Sequence, residues 1–416
     1  MSRFSFALPT RVVFGAGAFE TVGREAAGQG AHALLVTGST FARRSGLIDH
    51  LLSLLRAAGV EATLYDGLPQ TPSVEAIDDG GEQARTAGVD LIVGLGGGSA
   101  LDAAKAISAA AGTRGSLWQY VRSSAEAQPP PLEHALPLIQ VPIIASTGSE
   151  VNDTAVLYNA ESGVKAPLTS PHLFARVAIV DPALTFSVPA RYTTVGAMNI
   201  VTQMLESYLT SDEFAATDRV TEGLMRVVID SLARATRQSD DLDARSNLSW
   251  AATLASSVAL AGRSGAYPLR VMAYPLTARF PVDHGAALAG LWPSYMRYAL
   301  ANRLRLPQVG RFKRFALLGR QLFGVHETDD EVAAEMTAYR FEHWLRGAGM
   351  ATDLSALTLS TEEIAALAHQ AVDVSGNGRR LPSGLSVEDI EHIYDGALRP
   401  STLTGSSTRT SQAGRG

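Results

Sequence analysis

Three consecutive glycines, Gly96, Gly97 and Gly98, directly follow an apolar segment at residues 89–95. This segment is typical of a buried strand of a parallel sheet. Glycines leave backbone amides uncovered, and the N-terminus of a following helix adds the positive end of its dipole, so the turn is suited to binding a pyrophosphate. Ser99 and Asp102 have the spacing of a capping-box variant, which predicts where that helix begins. A glycine-rich loop without a ligand is the alternative, because the sequence has neither a Walker loop nor the Gly-x-Gly-x-x-Gly spacing here.

The length, charge and cysteine content limit the classes of protein to which this chain could belong. The chain has 416 residues, 46% of them apolar, which is enough for two hydrophobic cores and predicts two domains. The net charge of −6 argues against a general nucleic-acid partner. We find no apolar run long enough to span a membrane and no secretory signal pattern, so we expect a cytoplasmic protein without a membrane partner. Cysteine is absent and the nine histidines are scattered, so spacing alone suggests no histidine-rich metal site.

The pattern of hydrophobic residues changes near residue 185. Before it, β-branched runs alternate with helical patterns and predict strands at 33–37, 62–65, 91–95, 138–141 and 178–180, with helices that include 41–58 and 74–87. This alternation predicts an α/β nucleotide-binding domain over residues 1–185, with its ligand crevice at the carboxyl ends of the strands.

Long amphipathic segments dominate the second part of the chain. They predict helices at 193–209, 218–237, 245–261, 331–348 and 386–398. We therefore expect an all-helical catalytic domain over residues 186–400. Residues 401–416 are rich in Ser, Thr and Gly and predict a disordered tail.

Four motifs resemble those of one family. Residues 96–105 (GGGSALDAAK) are similar to the Gly-Gly-Gly-Ser-x-x-Asp-x-x-Lys signature of the iron-containing (group III) alcohol dehydrogenases, which include dehydroquinate-synthase-like proteins. Residues 146–150 (STGSE) resemble the Gly-Thr-Gly-Ser-Glu motif of that family, and residues 165–168 (KAPL) with 179–182 (IVDP) resemble its nicotinamide-proximal lysine segment and domain hinge. Residues 11–17 (RVVFGAG) resemble the opening hairpin, most closely that of the maleylacetate reductase subgroup. The resemblance covers nearly the whole chain and implies an α/β dinucleotide-binding domain followed by an all-α domain, a small-molecule substrate and a homodimer.

The resemblance also implies an NAD(P) site. Its residues would be Gly38, Ser39, Gly96, Gly97, Gly98, Ser99, Asp102, Thr147, Ser149 and Lys165. Gly38 stands where the family has an aspartate that selects NAD, and Arg43 and Arg44 follow on the next helix, where they are able to pair with a 2′-phosphate. This favours NADPH, with NADH as the alternative if the two arginines are only solvated charges. Ile143 and Ile144 replace a Thr-Thr pair of the family, which removes hydroxyls near the cofactor.

The family's metal-binding pattern is altered. The resemblance implies one aspartate and three histidines as ligands, but Asn199, Gln203 and Arg270 occupy three of these positions and only His284 is retained. Tyr274 replaces a nearby histidine that relays protons. A guanidinium is always cationic and cannot coordinate a metal, and amide oxygens are weak ligands beside a single imidazole. We therefore expect no metal at this site.

Two interpretations of this altered site remain open. In one, Arg270 replaces the metal by binding or polarising an anionic group, and Tyr274 or His284 donates a proton. In the other, the cleft has lost its chemistry and the polar residues only hydrogen-bond one another.

The resulting hypotheses belong to different functional classes. The first is a metal-independent NAD(P)H-dependent reductase of a small, anionic C=O, C=N or activated C=C compound. The alternatives are a non-redox enzyme that uses the same cleft for cyclisation, addition or elimination, and a cofactor-binding pseudoenzyme. The sequence does not identify the substrate.

Overall fold

The computed structural model describes residues 4–38, 40–69, 71–261, 267–302 and 312–400. The eight strands of this part of the chain are β1 (Arg11–Phe14), β2 (His32–Val36), β3 (Glu61–Tyr65), β4 (Leu91–Gly96), β5 (Leu138–Pro142), β6 (Thr154–Asn159), β7 (Val164–Thr169) and β8 (Val177–Val180). The helices that accompany them are α1 (Val22–Ala27), α2 (Thr40–Arg44), α3 (Leu47–Ala57), α4 (Val74–Thr86) and α5 (Gly98–Ala110).

The rest of the described chain is helical. Its elements are α6 (Ala190–Thr210), α7 (Ala215–Arg237), α8 (Leu242–Ala255), α9 (Pro268–Arg279), α10 (His284–Ala301), α11 (Phe312–Phe323), α12 (Asp330–Gly347), α13 (Thr361–Ser375) and α14 (Val387–Ala397).

Six of the strands form one parallel sheet in the order β1-β8-β5-β4-β2-β3, and β6 pairs with β7 in a separate antiparallel hairpin. Side chains on alternate positions of β2 and β4 enter different cores: Leu34 and Ile92 pack with α4 and α5, whereas Leu35 and Val93 pack with α1 and α3. A sheet covered by helices on both faces requires apolar side chains on both, which explains the continuous apolar runs in the sequence. The helices from α6 onward share a third core around Trp292 and Tyr208.

The predicted fold class is therefore confirmed: a parallel α/β sheet is followed by a helical region. The predicted strands agree with β2, β3, β4, β5 and β8 to within about a residue. The boundary expected near residue 185 lies between β8 and α6, and the division into two domains remains a prediction. The tail predicted at 401–416 lies outside the described residues.

Several local predictions were wrong. The helix expected at 41–58 is divided into α2 and α3 by Gly46, whose φ of 73° interrupts the helix. The helix expected at 245–261 ends at Ala255. Residues 11–14 do not form the hairpin suggested by the resemblance; β1 is an edge strand parallel to β8. The strongly amphipathic helices were easy to predict, whereas α9 and α10 are buried on several sides and each contains a proline.

No helix of the described residues is long and apolar enough to cross a membrane.

Candidate active site

A cavity of about 360 Å³ lies between the turn that follows β4 and helices α6, α9 and α10. All five residues predicted to be catalytic line it: Asn199, Gln203, Arg270, Tyr274 and His284. So do six of the residues predicted to bind a cofactor: Gly98, Ser99, Asp102, Thr147, Ser149 and Lys165. Gly96 and Gly97 directly precede this set in the chain, Gly38 is not among the lining residues, and Ser39 lies outside the described residues. The structure thus brings together residues that are up to 186 positions apart (Gly98 to His284).

The glycine turn has no room for side chains. A Cβ at Gly96 would lie 2.5 Å from the Cβ of Ala100, and a Cβ at Gly98 would lie 2.8 Å from Oγ1 of Thr147. Helix α5 begins at Gly98, and its N-cap residue, Gly97, provides no side-chain hydrogen bond. The first amides of α5 are therefore available to an anion, as a cofactor pyrophosphate requires.

The predicted capping box was wrong, because Asp102 is directed away from the start of its own helix. Its Oδ1 accepts a hydrogen bond of 2.5 Å from the Ser149 hydroxyl, and its Oδ2 accepts one of 3.0 Å from the amide of Val156. Burial raises the pKa of Asp102. Asp102 therefore connects α5 to the 146–150 motif and to β6, and this connection forms one wall of the cavity.

A buried lysine extends this connection. The ammonium of Lys105 donates to Oδ1 of Asn152 at 2.6 Å and to the carbonyl of Thr154 at 2.8 Å, and burial lowers its pKa to about 8. Asn152 donates in turn to the hydroxyl of Ser256 at 2.9 Å. Sequence reasoning did not identify Asn152 or Ser256, both of which line the cavity, because neither belongs to a recognisable motif.

The 146–150 motif packs tightly against helix α8. Gly148 has a φ of 65°, and a Cβ there would lie 2.5 Å from the carbonyl oxygen of Ala252. The neighbouring Glu150 is buried and accepts a hydrogen bond of 2.8 Å from Thr253. These contacts hold Thr147 and Ser149 at the cavity wall.

Helix α6 carries Asn199 and Gln203 on one face, as their spacing predicts. The amide of Asn199 donates to the hydroxyl of Ser146 at 2.8 Å. Helix α6 approaches the loop after β5 at Gly196, where a Cβ would lie 2.2 Å from the carbonyl oxygen of Ala145. This close contact brings the two amide side chains to the cavity.

Helix α9 carries Arg270 and Tyr274, and both line the cavity, as their spacing predicts. The guanidinium of Arg270 lies 4.6 Å from the centre of the Tyr267 ring. Among the described residues, no carboxylate lies within salt-bridge distance of it. The cavity therefore contains a permanent positive charge without an ion-pair partner in the described part of the chain.

Tyr274 and His284 are stacked, with ring centres 5.7 Å apart and an angle of 24° between the rings. Burial raises the pKa of Tyr274 to about 12, so the phenol keeps its proton at neutral pH. Burial, together with the charges of Lys165 and Arg270, lowers the pKa of His284 to about 3, so its imidazole is neutral. At neutral pH Tyr274 therefore carries a phenolic proton, whereas His284 is not an imidazolium.

Lys165 reaches the same cavity from β7. Its ammonium donates to the hydroxyl of Thr277 at 3.1 Å, and burial lowers its pKa to about 8. Lys165 therefore lies beside α9 and adds a second basic group to the cavity.

The residues at the family's metal position do not suit a metal ion. A cation, two carboxamides and one imidazole surround that position, and Asn199 uses its amide nitrogen to donate to Ser146. No group of three or more histidine, aspartate or glutamate side chains able to hold a metal occurs in the described residues. The charge of Arg270 would repel a divalent ion, whatever the remaining ligands.

The structure gives Gly38 a packing role that the sequence did not indicate. A Cβ there would lie 2.8 Å from the Cβ of Leu68, so no larger residue fits without movement. Arg43 forms an ion pair with Asp66, which follows β3, while the neighbouring Arg44 is exposed. Of the two arginines expected to bind a 2′-phosphate, Arg43 already has an acidic partner.

Comparisons with known proteins agree with this architecture. Residues 9–182 match the model of the iron-containing alcohol dehydrogenases, and residues 193–398 match that of the C-terminal domain of the same family. The chain is 30% identical to 1,3-propanediol dehydrogenase of Klebsiella pneumoniae over 94% of its own length and 98% of the relative's. It is 27% identical to the NADPH-dependent aldehyde reductase YqhD of Escherichia coli, over 88% and 92% of the two chains.

A solved structure extends the similarity to three dimensions. The crystal structure of NADH-dependent butanol dehydrogenase A from Thermotoga maritima superposes with a TM-score of 0.86 at 28% identity, covering 96% of this chain and 99% of that one. This chain belongs to the iron-containing alcohol dehydrogenase family, and membership supports its assignment as an oxidoreductase. The relatives include proteins named for NADH and for NADPH.

Proposed function

We propose that this protein is a metal-independent NAD(P)H-dependent reductase of a small anionic compound with a C=O, C=N or activated C=C bond. The observation that carries the proposal is Arg270, a cation that forms no salt bridge among the described residues and shares a cavity with Tyr274 and the start of α5. A fixed positive charge stabilises the negative charge that develops on a substrate during reduction.

The glycine turn fits an NAD(P) pyrophosphate, because a Cβ would not fit at Gly96 or Gly98 and helix α5 begins there without a side-chain cap on its first amides. When bound, NAD(P)H supplies a hydride. Arg270 then binds the anionic group of the substrate, and the phenol of Tyr274 gives a proton to the atom that becomes electron-rich. The phenol of Tyr274, whose pKa burial raises to about 12, carries the proton that reduction requires at neutral pH.

We also propose NADPH as the preferred cofactor. Gly38 places no carboxylate against a 2′-phosphate, and Arg44 is exposed nearby on α2. Because Gly38→Asp would collide with Leu68, the selective test is Arg44→Ala. We expect this change to weaken NADPH binding and leave NADH binding unchanged, as measured by fluorescence titration. An equal effect on both cofactors, or tighter NADH binding by the unmodified protein, would count against the preference.

A homodimer is part of the proposal as well. The edge strand β1 is paired only with β8 in the described residues, and the partly exposed rings of Phe14 and Trp250 pack together at 5.1 Å beside it. An open strand edge with aromatic side chains suits association with a second copy. Light scattering coupled to size exclusion should give twice the mass of the chain, and a monomer at micromolar concentration would contradict the proposal.

The experiment that tests the proposed reaction has two steps. NADPH is first titrated against the protein by fluorescence, and NADPH consumption is then followed with a panel of small carboxylates that carry carbonyl, imine or conjugated alkene groups. Saturable binding followed by consumption with one class of compound supports the proposal. Binding without consumption supports the non-redox enzyme or the pseudoenzyme, and failure to bind either cofactor rejects the reductase.

A further inference from the structure

Helix α9, which carries Arg270 and Tyr274, has no N-terminal cap of its own. Its N-cap residue, Tyr267, makes no side-chain capping bond, and the next residue, Pro268, has no amide hydrogen. The amide of Val271 bonds to the carbonyl of Tyr267, which leaves the amides of Leu269 and Arg270 as the donors of the first turn that need an acceptor.

Glu206 of helix α6 supplies that acceptor. A single oxygen, Oε1, accepts hydrogen bonds from the amides of Leu269 at 2.5 Å and Arg270 at 3.3 Å, across a separation of more than sixty residues. The side chain is buried, with 2% of the residue exposed, and its carboxyl group lies at the positive end of the α9 dipole. The second oxygen, Oε2, is buried without a hydrogen-bond partner among the described residues.

We infer that Glu206 is a positioning residue that fixes the first turn of α9 and so places the guanidinium of Arg270 for binding the substrate anion. This inference rests on the anion-binding role of Arg270 in the proposed function. Glu206 does not line the cavity, so its effect on a ligand must pass through α9. It lies one turn beyond Gln203 on α6, and the same helix therefore both lines the cavity, with Asn199, Thr202 and Gln203, and caps α9.

Glu206 acts on Arg270 in two ways, through its acceptor oxygen and through its negative charge, and two substitutions separate these effects. The acceptor positions Arg270, whereas the charge of Glu206 opposes an incoming anion by partly neutralising the same guanidinium. Glu206→Met removes the acceptor and retains the packing volume. Glu206→Gln retains a carbonyl oxygen for both amides and removes the charge.

The test uses oxamate, a small monocarboxylate, titrated calorimetrically into the full-length protein, with NADPH titrated separately. We expect Glu206→Met to raise the Kd of oxamate by roughly tenfold or more, because displacement of a binding group by an ångström is enough to do so. The Kd of NADPH should change by less than about twofold, since the glycine turn and the start of α5, which would hold the pyrophosphate, do not contact the first turn of α9. Glu206→Gln should bind oxamate as well as the unmodified protein or more tightly.

Asp181→Leu is the matched control. Asp181 is also a buried carboxylate that accepts hydrogen bonds from two amides, those of Phe19 and Ala183, but it does not line the cavity. Its replacement should lower stability and leave oxamate binding unchanged. Should Glu206→Met fail to fold, Glu206→Leu serves as the second variant that lacks the acceptor.

The outcomes distinguish this inference from the proposed function. Weaker oxamate binding in Arg270→Ala with no change in Glu206→Met would reject the positioning role alone. Equal weakening in Glu206→Met and Asp181→Leu would also reject it, because general loss of stability would then explain both. No oxamate binding by the unmodified protein, or full binding by Arg270→Ala, would overturn the anion site together with the inference.

Discussion

Arg270 stands at a position where the family resemblance places a metal-binding histidine. Replacing a metal ligand by a guanidinium changes how the site is able to bind and polarise a substrate. A divalent ion and a guanidinium both offer positive charge, but only the ion binds substrate oxygen directly and acidifies a bound hydroxyl. The guanidinium offers directed N–H donors, which suit a carboxylate. The exchange therefore fits reduction of an anionic compound better than oxidation of a simple alcohol.

The first prediction concerns the charge of Arg270. Arg270→Ala should cost roughly 2–4 kcal/mol of transition-state stabilisation, the size found when a charge-stabilising donor is removed. Arg270→Lys should recover only part of this loss, because an ammonium cannot form the bidentate contact. The measurement is kcat/KM with the compound identified by the NADPH-consumption panel, and full recovery by lysine would show that only the net charge matters.

The second prediction distinguishes the roles of the two stacked rings, Tyr274 and His284, in proton transfer. Tyr274→Phe should lower turnover by about 10²–10⁴-fold if the phenol transfers the proton. His284→Asn should cost much less, because an imidazole with a pKa of about 3 has no imidazolium proton to give at neutral pH. Turnover of each variant is compared after its thermal transition has confirmed folding. A larger loss in His284→Asn than in Tyr274→Phe would reverse the assignment of the donor.

At the scale of secondary-structure elements, the site depends on close contacts between segments that are distant in sequence. Gly148 allows the 146–150 motif to reach α8, and Gly196 allows α6 to reach the loop after β5. The sequence identified Gly148 as part of a motif, but it could not show that this motif packs against α8. Contacts of this kind depend on the shape of both partners, and local patterns describe only one of them.

The third prediction tests one of these contacts. Gly148→Ala should destabilise the protein by about 2–4 kcal/mol, because the residue has positive φ and its new Cβ would overlap the backbone oxygen of Ala252. Gly223→Ala is the matched control, since it lies inside α7 in open space, and it should stabilise by about 0.5–1 kcal/mol. Chemical denaturation measures both. Similar free energies of unfolding for the two variants would contradict the close contact at Gly148.

The fourth prediction concerns the buried carboxylate beneath α9. Burial raises the pKa of Glu206 from 4.5 to about 7, so the folded protein binds a proton that the unfolded chain has already lost in this pH range. Relative to Glu206→Gln, the unmodified protein should therefore lose stability as the pH rises from about 4.5 to about 7, by at most about 1.4 kcal/mol per pH unit. Denaturation at several pH values measures the difference. A constant difference across this range would show that Glu206 ionises normally.

At the scale of the whole molecule, the order of strands and helices could be predicted well and the contents of the cavity only in part. Alternating and continuous apolar runs specified the parallel sheet, because burial on both faces leaves a strong pattern. The family motifs located Asn199, Gln203, Arg270, Tyr274 and His284, all of which line one cavity. Glu206 matched the last position of a family motif without indicating a role, and Asn152 and Tyr267 were not singled out, since the roles of all three depend on which helices meet in three dimensions.

The roles proposed for Arg270 and Tyr274 require that this member of the iron-containing alcohol dehydrogenase family works without a metal ion. The most direct test is elemental analysis by mass spectrometry of purified protein that has been shown to bind NADPH. We expect far less than one iron or zinc ion per chain, and no gain in NADPH binding or consumption when either ion is added. About one tightly bound iron or zinc ion per chain, lost together with activity on chelation, would contradict it.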